Sequence, residues 1–169
     1  LIRRGTQFHW HNDGYENFDA FLESLSSRKR KNIRKERASV RDAGVKMLAL
    51  TGVDIKPHHI DNFFDFYLST IERKWGGAYL TRAFFDIVHS TMADRLLLVL
   101  ANFDGNLIGG ALNFIGTDTL YGRNWGATTH IQNLHFEACY YQAIDFAISH
   151  KLRFVEAGAQ GFHKVQRGY

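Results

Sequence analysis

Apolar residues recur along this chain in two rhythms, and the switches between them outline its elements. "TQFHWHN" alternates apolar and polar positions and predicts a short strand. In "ENFDAFLESLS", Phe18, Phe21, Leu22 and Leu25 fall at helical spacing. The charged stretch "SRKRKNIRKERASVRDAG" continues helically to Gly44, a predicted C-cap, and "VKMLAL" predicts a second strand. Pro57 opens a helix through "HHIDNFFDFYLSTIERKW", closed by Gly76 and Gly77. "TRAFFDIVHSTMADR" makes another, with Thr81 as its N-cap.

Segments 95–103, 106–116 and 119–125 are strand-like and are joined by the turn signals Asp104-Gly105 and Gly116-Thr117-Asp118. Connections this short leave no room for crossovers, so the three predict a sequential antiparallel meander. A long helix from about Leu134 to His150 follows, leading directly into a strand over "LRFVEAG". Helices, meander, helix and strand in this order predict an α/β (α+β) fold, a mixed sheet flanked by helices, in one domain over residues 1–169. The residues show no internal repeat.

Composition narrows the class. The 169 residues are 45% hydrophobic and 14% aromatic, enough for a globular core. One cysteine excludes a disulfide framework and a Cys-x-x-Cys metal site, and this fits a reducing, cytoplasmic setting. Cys139 lies inside a helical pattern and reads as a buried, gap-filling thiol. His9 with His11 and His58 with His59 have no third ligand at metal spacing, so no metal is expected. No stretch approaches the roughly 18 apolar residues of a membrane span. Net charge is only +4, yet seven of the ten residues from Arg28 to Arg37 are basic. Arg30, Arg34, Arg37 and Arg41 fall on one helical stripe, a candidate site for phosphates of tRNA or another polyanion. The same stripe is equally a solvated face balanced by Glu36 and Asp42.

Two further blocks carry candidate chemistry. Glu137 lies on the apolar stripe of the long helix, one turn from Leu134 and Tyr141. It reads either as a general base with a raised pKa or as a structural partner of an arginine such as Arg123. Beyond "LRFVEAG" the chain breaks at Gly158, where strand pairing ends and polar groups can reach a cleft. Glu156, Gln160, His163 and Lys164 there offer an acid or base, an amide, an imidazole and a cation. They are expected to share a cleft with Arg123 and Glu137, with Arg167 as a further cation. "RKWGGAYL" places Trp75 and Tyr79 around two glycines, as a groove lip or a stapled helix turn.

The blocks "SLSSRKRKNIRKER", "YGRNWGA", "LHFEACYYQAIDFAI" and "FVEAGAQGFHKVQRGY", in this order, resemble the Fem-related, peptidoglycan-biosynthesis-like predicted N-acyltransferases of bacteria, a GNAT-like family. The resemblance implies a GNAT-like fold and a chain that is the later part of a longer, two-lobed protein. It also implies transfer of an acyl or aminoacyl group to an amine in cell-envelope metabolism, from acyl-CoA or aminoacyl-tRNA, with no permanently bound cofactor. In that fold "YGRNWGATT" would receive a cofactor pyrophosphate, making Arg123, Asn124, Trp125 and Gly126, with Gln160 and Lys164, candidate cofactor-binding residues; the same block reads equally as a strand-end turn with Trp125 packed into the core. Glu137, Glu156 and His163 are then the candidate proton acceptors. Phe162 stands where the family pattern has an acidic residue. The alternative class is a noncatalytic GNAT-like module that binds an anionic carrier or nucleic acid through its basic helix.

Overall fold

The centre of the sheet is set by two tight turns. Asp104 and Gly105 both take positive φ, 50° and 81°. This type I′ geometry matches the twist of strands β3 (Leu96–Phe103) and β4 (Asn106–Ile115). A second turn, closed by Gly116 N–H donating to the Thr119 carbonyl at 2.8 Å, leads into β5 (Thr119–Ala127). The expected antiparallel meander therefore forms, but the third strand runs on through "WGA". The computed structural model describes residues 7–72, 77–158 and 161–169. Trp75, Gly76 and Gln160, singled out above, lie outside the described residues.

Around the meander, β1 (His9–His11), β2 (Val45–Leu50) and β6 (Phe154–Glu156) complete a sheet of order β1-β6-β5-β4-β3-β2. All neighbours pair antiparallel except β5 and β6, which are parallel. The long apolar run "LRFVEAG" yields a strand of only three residues.

Helices cover both faces. On one side α3 (Pro57–Glu72) and α4 (Arg82–Met92) pack Phe63, Phe66, Tyr67 and Phe85 against Leu96, Leu98 and Leu100 of β3. The alternate residues Leu97 and Val99 face the other layer. That layer comprises α1 (Phe18–Ser24), α2 (Ser27–Asp42) and a helix over 134–149. The last is α5 (Leu134–Phe136), a π-helical turn (Glu137–Tyr141) and α6 (Gln142–Ser149), run together. β3 is thus buried on both faces, which is why it reads as a continuous apolar run. Thr81 caps α4 as expected, its hydroxyl accepting from Phe84 N–H at 3.3 Å, and Gly44 ends α2 at φ 84°. A mixed, mostly antiparallel open sheet between two helical layers is a GNAT-like fold.

Candidate functional site

The pairing of β4 with β5 slips by one residue. Leu112 faces Asn124 and Asn113 faces Gly122, leaving Arg123 unpaired as a bulge. A bulge bends its strand and re-aims a side chain, and bulges concentrate beside active sites. Here the bend leaves a pocket of about 130 Å³ between the sheet and the 134–149 helix. Arg123, Asn124, Trp125, His135, Cys139 and Tyr140 line it, with Ala157 at the end of β6. A neighbouring hollow runs from Trp125 and His135 along 129–134.

The helical wall carries the chemistry. The Tyr140 hydroxyl and His163 Nε2 lie 3.0 Å apart, and the rings of His135 and Phe136 pack around the same imidazole. Burial pushes the Tyr140 hydroxyl well above its usual range, with the Cys139 thiol adding to the rise, so it remains a proton donor. Burial and then the charges of Arg167 and Lys164 hold His163 below the ordinary imidazole range. A neutral imidazole with a partner hydroxyl on a pocket wall can accept a proton near neutral pH. Burial likewise drives the Cys139 thiol far up, which leaves a protonated sulfhydryl and no nucleophile.

Several expected site residues sit elsewhere. Glu137 is 5% exposed and bound to α2, accepting from Arg37 Nε at 3.2 Å and Nη2 at 3.1 Å and from Gln142 Nε2 at 2.8 Å. Its arginine partner is Arg37, in place of Arg123, and it does not line the pocket. Lys164 is 4% exposed and donates to the carbonyls of Ala157 and Gly158 at 2.5 and 3.1 Å, tying off the end of β6. Gly126 lies within β5, where a Cβ would come 1.8 Å from the Phe66 carbonyl oxygen. It is the point at which α3 crosses the sheet, and "YGRNWGA" is a strand instead of a phosphate loop. Glu156 is half-buried in β6, beside the pocket-lining Ala157. Of the described residues expected to share one cleft, Arg123 alone lines this pocket; His163 meets it only through its contact with Tyr140, while Glu137 and Lys164 are engaged elsewhere.

The basic stripe divides too. Arg37 points inward, reaching Asp145 at 2.7 Å as well as Glu137 and stacking 4.3 Å from the Phe18 ring. Arg30 Nη1 donates to the Leu25 carbonyl, Arg41 pairs with Asp42, and Arg34 meets Asp19. The solvent face instead presents Arg28, Lys31, Arg34 and Lys35. Tyr140 was missed because sequence periodicity makes it one more core aromatic. Only its contact with a residue 23 positions later distinguishes it.

No curated protein matches the chain by sequence. Among solved structures, FemX superposes with a TM-score of 0.70 at 12% identity, over 91% of this chain and 52% of that one. L-PGS from Bacillus licheniformis gives 0.67 at 7% identity, over 98% and 56%. A conserved protein of unknown function from Bacteroides thetaiotaomicron VPI-5482 gives 0.63 at 15% identity, over 99% and 56%. At such identities the likeness is one of fold, and this chain spans between 52% and 56% of the length of each. The model of FemAB-like proteins, described as peptidoglycan biosynthesis/recognition, matches residues 1–169 in full. The chain belongs to the FemAB-like family.

Proposed function

We propose that this chain transfers an aminoacyl group from an aminoacyl-tRNA to the amine of a cell-envelope precursor, and that the bulge pocket holds the reacting groups. The observation that carries this reading is Tyr140, which lines the same pocket as the Arg123 bulge and whose hydroxyl lies 3.0 Å from His163 Nε2. The family whose model matches the whole chain is described by peptidoglycan biosynthesis/recognition, and membership supports a transfer reaction on a cell-envelope precursor.

The chemistry follows from the groups present. The acceptor amine attacks the ester carbonyl, forming the C–N bond while the C–O bond to the tRNA ribose breaks. The ammonium proton passes to the Tyr140 oxygen as the Tyr140 hydroxyl proton moves to His163 Nε2. The leaving ribose oxygen ends as a hydroxyl by taking a proton back from this pair, so the enzyme returns to its starting state. Arg123, exposed on the bulge, offers positive charge to the developing oxyanion or to a donor phosphate. The exposed cations of α2 supply further phosphate contacts. This helix also borders the catalytic segment, since Lys29 Nζ donates to the Val165 carbonyl at 2.8 Å. The contact of this basic helix with the turn that carries His163 supports a tRNA-using enzyme over a binding module whose basic helix lies apart from that turn.

The test is transfer of labelled amino acids from bulk aminoacyl-tRNA to a peptidoglycan stem peptide bearing a free lysine amine. Tyr140→Phe and His163→Ala should each lower the rate by about 10²- to 10⁴-fold. Full rates in both variants would remove the pair from the chemistry. Transfer from acyl-CoA in place of tRNA would correct the donor.

A further inference from the structure

We infer that Arg167, anchored by Glu36 of α2, is a positioning residue that holds His163 against Tyr140. The assignment rests on the proton-acceptor reading of that pair.

The short 3₁₀ turn carrying His163 (Phe162–Arg167) is poorly held by apolar burial. Phe162 is 85% exposed and Val165 40% exposed. Isolated turns of this kind have weak internal hydrogen bonding, so something outside the turn must fix its orientation. Arg167, 7% exposed, is the best-connected group in the segment. Its Nη1 donates to the His163 carbonyl at 2.8 Å, which ties the backbone of the imidazole-bearing residue. Its Nε and Nη2 form a two-pronged bond with Glu36, at 3.0 Å to Oε2 and 2.7 Å to Oε1. Its guanidinium lies 3.4 Å over the Phe136 ring, which also packs against the rings of His163, Tyr140 and His135.

Glu36 also receives the Tyr141 hydroxyl. One carboxylate on α2 therefore references both halves of the site: the turn bearing His163, through Arg167, and the π-helical turn bearing Tyr140, through its neighbour Tyr141. A planar fork transmits orientation in a way that a point charge does not. Ion pairs this removed from water add little net stability but impose geometry. Gly161 completes the arrangement at φ 96°, where a Cβ would come within 2.3 Å of the His163 ring.

Two variants test the assignment. Arg167→Lys keeps the charge and removes the fork, and Glu36→Gln removes the anchoring charge but keeps an acceptor. Three quantities are measured in each: the melting temperature, the NMR signals of the His163 ring, and transfer from bulk aminoacyl-tRNA. The expected result is a folded protein in which those ring signals shift and broaden and kcat falls about 10- to 100-fold with KM little changed, the cost of slight misplacement. Unchanged His163 signals in both variants overturn the latch. Displaced His163 signals with undiminished transfer support the latch while overturning the proton-acceptor reading.

Discussion

At Gly126 a single hydrogen atom decides how two layers meet. An added Cβ would stand 1.8 Å from the Phe66 carbonyl oxygen and 2.2 Å from its carbon, both of them backbone atoms that no rotamer change can move. Gly126→Ala should therefore cost about 1–3 kcal/mol or more, as overpacking against rigid neighbours does. Gly77→Ala, where nothing lies within 4 Å of the new carbon, should stay within about 0.5 kcal/mol. Urea unfolding of the two variants checks both values. Residues of this kind explain what sequence alone misassigned. Gly126 and Lys164 look like ligand-binding residues in a polar, glycine-broken string, whereas one is set by a helix crossing from 60 positions away and the other by two carbonyls at a strand end. Arg123 lines the pocket because it lies in the strand that forms it. Its partners are nonetheless fixed by a one-residue register slip that no local pattern encodes.

Among the elements, α2 has two opposed electrostatic roles. Its outward cations Arg28, Lys31 and Lys35 follow i, i+3, i+7 spacing, and no acidic residue occupies the first turn to offset them. Arg28 stands in the first turn, at the positive end of the helix dipole, where a cation disfavours the helix slightly and a bound anion would offset it. Replacing these three by Gln should weaken retention on tRNA or heparin and lower the salt slope of binding by about three, at a folding cost below about 1 kcal/mol. Arg37→Gln should do the reverse. It strands Glu137, 5% exposed, and half-exposed Asp145, so polyanion binding should hold while stability drops by roughly 2–3 kcal/mol, less than a fully buried pair would lose because Arg37 is 26% exposed. Filter binding and thermal melts on the two variants separate the roles. Sequence periodicity placed Arg37 on the outer stripe because the helix register alone cannot show which face finds a buried carboxylate. The 134–149 helix misled in a related way. Its π-helical turn brings Glu137 beside Gln142, five residues on, whereas a 3.6-residue period points Glu137 towards Tyr141.

For the molecule as a whole, stability and pH are linked through histidines on opposite sides of the sheet. His59 is held below the ordinary range by burial first and then by the neighbouring His58, and His163 by burial and then by Arg167 and Lys164. A depressed folded-state midpoint means that the folded form binds protons less readily than the unfolded one. The contribution of each is thus complete above about pH 6.5 and is lost as pH falls through its folded midpoint. The melting temperature should decline from about pH 7 towards about pH 5, and a His59→Gln/His163→Gln double variant should show a shallower decline. At this scale the sequence was most informative. The meander, both helical layers and the caps at Gly44 and Thr81 all follow from local pattern and turn chemistry. What local pattern could not supply was the pairing of elements far apart along the chain, and the site depends on those pairings. One of them also bears on how the protein is made. Among the described residues strand β1 pairs only with β6, with His9 opposite Glu156, so it has no sheet partner there until almost all of the described chain has been synthesised. At about 5–20 residues per second, β1 waits on the order of ten seconds before β6 emerges from the ribosome. Trp10, 1% exposed in the finished fold, spends that interval without its final cover, which makes this strand a natural client for a chaperone during translation.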